Sequence, residues 1–244
     1  MADTQPQSKL QIRIVPVTPL QQNCSLIWDT ETKHAAFVDP GGDIDTLMGA
    51  LDHFGLTLKK IWLTHGHMDH AGAAAELRER TGIPVEGPHK DDQFWLDQIE
   101  AANAKYGIEG GRNVTPDRYL EDGDTLELEG VTFDVAHTPG HTPGHVVIHN
   151  RAAKIAFVGD VLFAGSIGRT DFPRGNHQQL IDSITGKLWP LGADMTFVPG
   201  HGPTSTFGQE RATNPFVADA LTGYAGAEKG EASPFDQKTA KRYT

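Results

Sequence analysis

The sequence contains one cysteine among its 244 residues. A single cysteine cannot form an internal disulfide, so no disulfide bond within the chain stabilises the fold. Cys24 lies in the apolar stretch NCSLIWD, which is typical of a buried strand. We therefore expect Cys24 to be a small packed side chain without a chemical role.

Long hydrophobic runs and an excess of positive charge are also lacking. No window of about 18 apolar residues occurs, and the polar N-terminus lacks the basic and apolar segments of a secretion signal. The 21 lysines and arginines are outnumbered by 32 acidic residues, which gives a net charge of −11. This balance argues against broad binding of nucleic acid or anionic lipid, and an anionic small molecule would need a local basic pocket. We expect a cytoplasmic protein whose partners are neither nucleic acid nor membrane.

Apolar periodicity predicts one domain in which strands and helices alternate. Three short strands form a meander in the first forty residues, and a helix and an apolar strand follow. Three later segments are predicted helices, namely HAGAAAELRERTG, DDQFWLDQIEAANAKYG and HQQLIDSITGKLWPL. Residues 11–222 form the predicted domain, with a flexible N-terminus over 1–10 and a loose C-terminal tail over 223–244. Two sheets packed face to face with helices outside, an α/β layered sandwich, account for this order.

Four predicted strands end in polar groups. They are found in the stretches IWLTHGHMDH, FDVAHTPGHTPGH, IAFVGD and MTFVPGH. Polar side chains on loops at strand ends are held by a rigid sheet, and they can converge on one point although they lie far apart in sequence. The pattern predicts a functional site at the ends of these strands.

The stretch THGHMDH, residues 64–70, contains three histidines and an aspartate, more candidate metal ligands than one loop offers to a single ion. His65 and His67 are one residue apart and can chelate one ion. Asp69 and His70 follow too closely to join the same tetrahedral ion, which indicates a second ion about 3.5–4 Å away. Imidazole and carboxylate ligands without a thiolate favour Zn²⁺ and permit Fe or Mn. A purely structural role for this cluster would require many compensating hydrogen bonds.

These motifs are similar to those of a known family. THGHMDH resembles the signature of the metallo-β-lactamase superfamily, and TPGHT, VGD and PGHG occur in the order and at the separations of that family. The resemblance extends from about Gln11 to Phe216. It implies a four-layer αββα sandwich of the metallo-β-lactamase type, with the active site at the strand ends along one edge of the sandwich.

The resemblance implies seven metal ligands in two groups. They are His65, His67 and His141 for the first ion, Asp69, His70 and His201 for the second, and Asp160 as the bridge between them. A solvent molecule that bridges two ions becomes a hydroxide at neutral pH, and this hydroxide would attack the substrate. Asp69 and Asp160 are the implied catalytic residues, with Asp69 as proton acceptor. His137 and His145 would lie beside the ligands and orient them.

Further stretches favour one branch of the superfamily. VPVTPLQQNCSLIWD, VDPGGD, GRTDFPRG and PGHGPTSTFGQERATNPF are similar to the short bacterial type of glyoxalase II, the hydroxyacylglutathione hydrolases. The implied reaction is hydrolysis of a thioester, S-lactoylglutathione, to D-lactate and glutathione. The implied cofactors are two divalent metal ions, zinc first, with iron or manganese as alternatives. β-Lactamases with two zinc ions place a cysteine in the second site, where this sequence has none.

The loop GRTDFPRG, residues 168–175, is the predicted source of substrate contacts. Arg169 and Arg174 can supply a local basic contact, with Asp171 pairing Arg169, and a salt bridge that only holds the loop is the alternative. A similar GRTDF string occurs in persulfide dioxygenases of the same fold, which are mononuclear iron enzymes. A persulfide dioxygenase, a lactone or other ester hydrolase, and a non-catalytic binding protein are therefore alternatives. The sequence does not predict an oligomeric state.

Overall fold

A computed structural model describes residues 9–224 of the chain. Most of the predicted flexible N-terminus and of the predicted loose tail lies outside these residues. At the inner boundaries, Leu10 begins the first strand and Gly223 ends the last described helix. Leu10 differs from the predicted flexible segment because its side chain, 2% exposed, is buried between the two sheets.

The first sheet contains five strands that are neighbours in the order of the chain. They are β1 (Leu10–Val17), β2 (Gln22–Asp29), β3 (His34–Val38), β4 (Thr57–Trp62) and β5 (Val85–Glu86). β1, β2 and β3 pair antiparallel, which confirms the predicted meander, and β4 and β5 continue the sheet in parallel. Helix α1 (Ile44–Phe54), the helix predicted between the meander and the next strand, makes the crossover from β3 to β4 and is capped by Gly55.

The second sheet contains six strands, and a short hairpin lies beside it. In chain order the strands are β6 (Thr125–Leu128), β7 (Val131–His137), β8 (Val146–Asn150), β9 (Ile155–Gly159), the hairpin strands β10 (Leu162–Phe163) and β11 (Ser166–Ile167), β12 (Thr196–Pro199) and β13 (Ser205–Thr206). The order across the sheet is β13, β12, β9, β8, β7 and β6. β9 and β12 pair in parallel and the other pairs are antiparallel. The parallel pair brings the carboxyl ends of β9 and β12 to the same edge.

Two of the three segments predicted as single helices are broken, whereas the third, residues 177–191, is helical throughout and changes from α-helical to π-helical to 3₁₀ geometry. The helices are α2 (Met68–Ala71), α3 (Ala74–Thr81), a 3₁₀ helix (Lys90–Asp92), α4 (Gln93–Leu96), α5 (Ile99–Tyr106), α6 (His177–Ser183), a π-helix (Ile184–Leu188), a 3₁₀ helix (Trp189–Leu191), α7 (Phe207–Thr213) and α8 (Asp219–Thr222). Tertiary contacts cause such breaks, since the N–H of Ala73, between α2 and α3, donates to the carbonyl of Pro40 at 3.0 Å. Within residues 9–224, no helix is long and apolar enough to cross a membrane.

Three apolar clusters separate four layers. Neighbouring residues on a strand point to opposite faces, so on β3 Phe37 packs under the helices α1 and α3 while Val38 faces the second sheet. On β9, Phe157 faces the first sheet while Val158 packs against α6. The order is therefore helices, sheet, sheet, helices, which confirms the predicted αββα sandwich. Cys24 is fully buried on β2, as its sequence context predicts, and burial raises the pKa of its thiol.

Candidate metal centre

The structure brings the seven side chains predicted as ligands to one edge of the sandwich. Their positions are His65 and His67 in the loop after β4, Asp69 and His70 in α2, His141 in the loop between β7 and β8, Asp160 directly after β9, and His201 after β12. Because the strands end at this edge, residues up to 136 positions apart meet, as the distance of 3.1 Å between the His201 Nε2 and Asp69 Oδ2 atoms illustrates for a separation of 132.

The first group consists of three histidines whose ring nitrogens converge. The Nδ1 atom of His67 lies 3.1 Å from Nε2 of His65 and 3.0 Å from Nε2 of His141. The ligand atoms of all three lie within 4.8 Å of one another. This spacing is compatible with one ion that binds all three nitrogens.

The second group consists of Asp69, His70 and His201, and Asp160 lies between the groups. Asp69 Oδ2 is 3.1 Å from Nε2 of His201 and 3.9 Å from Nε2 of His70. One carboxylate oxygen of Asp160 lies 3.3 Å from Nε2 of His70, and the other lies 3.6 Å from Nε2 of His141. The Asp160 carboxylate therefore faces both groups.

A buried carboxylate outside the seven predicted ligands orients two of the rings. Asp39 accepts hydrogen bonds from Nδ1 of His70 at 2.9 Å and from the Thr64 hydroxyl at 2.6 Å. Because the Thr64 proton is directed at Asp39, its oxygen accepts from Nδ1 of His65, 3.1 Å away. Both rings then carry their proton on Nδ1, and their Nε2 lone pairs point into the site.

Backbone carbonyls orient two further rings in the same sense. Nδ1 of His141 lies 2.7 Å from the carbonyl oxygen of Arg169, and Nδ1 of His201 lies 3.2 Å from that of Leu20. A carbonyl oxygen only accepts, so the proton of each neutral ring is on Nδ1 and the Nε2 lone pair points inward. The Nε2 lone pair of His201 therefore faces the carboxylate of Asp69.

The donor atoms fit two divalent metal ions. Nε2 of His70 and Oδ1 of Asp160 are buried, 3.3 Å apart, and without a hydrogen bond. Lone pairs that face one another at such distances are unfavourable unless a proton or a metal ion lies between them. Imidazole nitrogens and carboxylate oxygens are ligands that Zn²⁺ accepts, and Fe and Mn also bind them. Each group therefore offers a site for one ion, with Asp160 shared.

Burial lowers the pKa values of the histidines, whereas the carboxylates of Asp69 and Asp160 raise them. Burial lowers the pKa of His67 to about 3 and lowers that of His65 well below its usual value. Burial also disfavours protonated His70, but Asp160 and Asp69 outweigh it and raise the pKa of His70 well above its usual value. The site thus provides neutral imidazole, the form that binds metals, in one group and attracts positive charge beside the carboxylates in the other.

Asp92 connects the two loops that carry the first group. Its fully buried carboxylate accepts hydrogen bonds from the N–H of Gly66 at 2.8 Å, the N–H of Gly144 at 2.6 Å and the hydroxyl of Thr142 at 2.7 Å. Gly66 lies between two of the histidines, and Thr142 directly follows the third. Burial raises the pKa of Asp92 to about 6, against the effect of these hydrogen bonds. The sequence stretch KDDQFW gives no signal of this role, which arises only from the tertiary contacts.

Two glycines allow the strand ends to come this close. Gly159 has a φ of +47°, and a Cβ atom there would lie 2.4 Å from Oγ1 of Thr64 and 2.6 Å from Nε2 of His145. A Cβ atom at Gly200 would lie 2.2 Å from Oδ1 of Asp160. Any larger residue would push the ligand loops apart.

Comparison with known proteins identifies the family. The sequence pattern described as the Metallo-beta-lactamase superfamily matches residues 17–201. The chain belongs to the metallo-beta-lactamase superfamily. The matched range ends at His201 and contains all seven residues predicted as ligands.

Relatives and solved structures of the superfamily cover nearly the whole described chain. Hydroxyacylglutathione hydrolase GloC of Haemophilus influenzae is 46% identical over 209 residues, which are 85% of this chain and 98% of the relative. The structure of BLEG-1 B3 metallo-beta-lactamase matches with a TM-score of 0.77 at 37% identity, over 85% of this chain and 99% of that one. TTHA1623 in a di-iron-bound form gives a TM-score of 0.76 at 37% identity, over 84% and 99% of the two chains. ETHE1 from Myxococcus xanthus gives 0.69 at 29% identity, over 85% and 84%. The protein is accordingly a metallohydrolase.

The two further histidines of HTPGHTPGH, His137 and His145, have different neighbours in the structure. Nε2 of His145 accepts a hydrogen bond from the backbone N–H of Asp160 at 3.1 Å, so His145 holds the backbone at the shared carboxylate. His137 instead stacks on His89 with ring centroids 4.2 Å apart, and its Nε2 donates to the carbonyl of Pro143. Of the two histidines predicted to orient the ligands, only His145 contacts one of the seven.

The loop GRTDFPRG presents an aromatic ring to the metal centre. Arg169 donates two hydrogen bonds of 2.7 Å to Asp171, and its guanidinium lies 4.2 Å from the ring centroid of Phe172. Phe172 packs against the ring of His67 with centroids 5.0 Å apart. The loop thus contains the Arg169–Asp171 salt bridge that both interpretations of this loop include, and Arg169 stacks on the ring that contacts His67.

A cavity of about 790 Å³ opens over the metal centre. Of the three predicted substrate contacts, Arg169 lines the cavity, whereas Asp171 and Arg174 are not among its lining residues. Arg174 lies over the ring of Phe94, 4.0 Å from its centroid. The direct role predicted for Arg174 and Asp171 thus has no support from their placement.

Proposed function

We propose that the protein is a binuclear metallohydrolase that cleaves a thioester, S-lactoylglutathione, to D-lactate and glutathione. The observation that supports two ions is the pair of ligand groups that share Asp160. The thioester is supported by the 46% identity to a hydroxyacylglutathione hydrolase. The proposal places the reaction in the cytosol, where glutathione is kept reduced.

The proposed metal ligands are His65, His67 and His141 for one ion, Asp69, His70 and His201 for the other, and Asp160 for both. Bound divalent ions lower the pKa of a water molecule and polarise a carbonyl group. Zinc is the proposed metal. Iron is the alternative, since a relative of 37% identity has been crystallised in a di-iron-bound form.

The protein's own side chains hold a proton acceptor and exclude water. Burial raises the pKa of Asp69, but His70 and His201 lower it by more, so that the pKa lies below its usual value. The carboxylate is therefore ionised at neutral pH, and the ionised form is the one that can bind a metal ion or accept a proton. Phe172 covers one side of the ring of His67 and limits the access of bulk water there.

The proposed function is tested by comparing substrates on the zinc-loaded protein. We expect release of glutathione from S-lactoylglutathione, measured with a thiol reagent, with kcat/KM above that for a β-lactam or a lactone by about 100-fold or more. A higher kcat/KM for the β-lactam or for the lactone would show that the proposed substrate class is wrong. A protein that binds one iron per chain and takes up oxygen on glutathione persulfide would instead be a persulfide dioxygenase, the alternative that the GRTDF string favours.

A further inference from the structure

The cavity over the metal centre has mostly apolar walls. Five of the seven proposed ligands line it: His67, Asp69, His141, Asp160 and His201. Trp95 of α4, Ile99 of α5 and Phe172 contribute large apolar surfaces. Such walls hold a ligand by shape and by burial of its apolar parts, and its orientation then depends on a small number of polar groups.

Two of the residues that line the cavity carry a positive charge, Lys105 and Arg169. The guanidinium of Arg169 already has partners, because it donates two hydrogen bonds of 2.7 Å to Asp171 and stacks on Phe172. A substrate carboxylate that recruited Arg169 would have to displace Asp171. Arg169 is therefore a poor candidate for binding an anionic substrate.

Lys105, by contrast, forms no salt bridge within residues 9–224. Within residues 9–224, the lysines that form ion pairs with carboxylates are Lys9, Lys60, Lys154 and Lys187. The Lys105 ammonium lies 5.7 Å from the ring centroid of Tyr106, which leaves its three donors available to a ligand. Its flexible four-carbon stem extends from the last turn of α5, at the rim of the cavity.

We propose that Lys105 binds a carboxylate of the thiol half of the substrate and thereby selects thioesters of anionic thiols. This inference rests on the proposed thioester hydrolysis, since glutathione carries two carboxylates and a net negative charge. The chain as a whole has a net charge of −11, so attraction of an anion requires a local cation at the cavity. Lys105 provides that cation on α5, a helix that none of the sequence motifs includes.

The test combines two variants with two thioesters that share the lactoyl group. S-lactoylglutathione has an anionic thiol, and the lactoyl thioester of N-acetylcysteamine has an uncharged one. For K105M we expect kcat/KM to fall about tenfold on the glutathione thioester, mainly through KM, and to remain within about twofold on the uncharged thioester. K105R should restore most of the loss. K59M, which removes an exposed lysine outside the cavity, is the matched control.

A binding measurement accompanies the kinetics. Titration of the zinc-loaded protein with S-methylglutathione, which is not hydrolysed, should give a Kd about tenfold higher for K105M than for the wild type and for K59M. An equal loss on both thioesters, or no loss on either, would overturn the role of Lys105 while leaving thioester hydrolysis in place. If the wild type hydrolyses neither thioester, the proposed function fails and the role of Lys105 fails with it.

Discussion

The metal centre and the rim of the cavity above it are built in opposite ways. At the centre, His65 and His70 are fully buried, and every imidazole whose Nε2 points inward has its other nitrogen held by a fixed acceptor. At the rim, Tyr106 is 60% exposed, the Arg169 side chain is 61% exposed, and Lys105 is exposed. The proposed chemistry therefore takes place among buried side chains whose orientation is fixed by hydrogen bonds. The proposed substrate contacts are made by exposed side chains that can change conformation.

The largest expected effect follows from removing the carboxylate that the two ligand groups share. For Asp160→Asn we expect kcat to fall by about 1,000-fold or more, because the amide nitrogen would face one group in place of an oxygen. The bound metal should fall below two ions per chain, as measured by elemental analysis of the purified protein. Glu127→Gln, an exposed change on β6, is the control and should leave both quantities unchanged. Nearly full activity of the Asp160→Asn variant would contradict the claim that both ligand groups need the Asp160 carboxylate.

The next effect concerns the link between the two ligand loops. Asp92→Ala leaves three buried donors without their acceptor, and we expect the free energy of unfolding to fall by about 3 kcal/mol. The affinity for the first metal should also fall, measured by competition with a chromogenic chelator. Asp91→Ala is the matched neighbour, since its side chain is exposed. Equal effects of the two substitutions would show that Asp92 does not hold the loops together.

His149 lies outside the metal centre and the rim of the cavity, and it tests whether low pH lowers the stability of the fold itself. Burial lowers the pKa of His149 on β8 to about 4, from an ordinary value of about 6.5. Between these two values the unfolded chain binds a proton that the folded chain does not, so stability falls as the pH decreases from about 6.5 towards 4.

We therefore expect the metal-free protein to lose about 2 kcal/mol of stability between pH 7 and pH 5 through His149. His149→Leu should remove this part of the pH dependence in urea denaturation. A variant with the same pH dependence as the wild type would mean that other buried groups are responsible.

The smallest effect is expected at the rim. Arg169→Met removes the salt bridge to Asp171 and the guanidinium that stacks on Phe172, and we expect KM to rise about threefold with the metal content unchanged. Arg174→Met serves as the matched control, because Arg174 does not line the cavity. A loss of metal in Arg169→Met would show that the rim and the centre are not separable.

The same contrast explains what could be predicted from the sequence. Strand alternation and strand ends are local, and they predicted the layered sandwich and a site at the strand ends, while the resemblance of the motifs to the superfamily implied the seven ligands. Asp39 and Asp92 were missed because their partners lie at least 25 positions away in the chain. Neither acid belongs to a spacing pattern, and each takes its role from the groups that the fold places around it.

The helix breaks were missed for a related reason. Composition favours one continuous helix over residues 91–107, whereas the structure has α4 and α5 with a turn between them. Both helices contribute side chains to the cavity, so the segment that carries Trp95 and Lys105 shapes the rim. The local sequence contains no breaker such as proline, and the tertiary packing determines the turn.

The central claim is that two groups of ligands bind two ions through a shared Asp160. Titration of the metal-free protein with zinc in competition with a chromogenic chelator measures the number of ions directly. We predict two ions per wild-type chain and one per chain for Asp69→Ala, whose first group is intact. One ion per wild-type chain, or two in Asp69→Ala, would contradict the account.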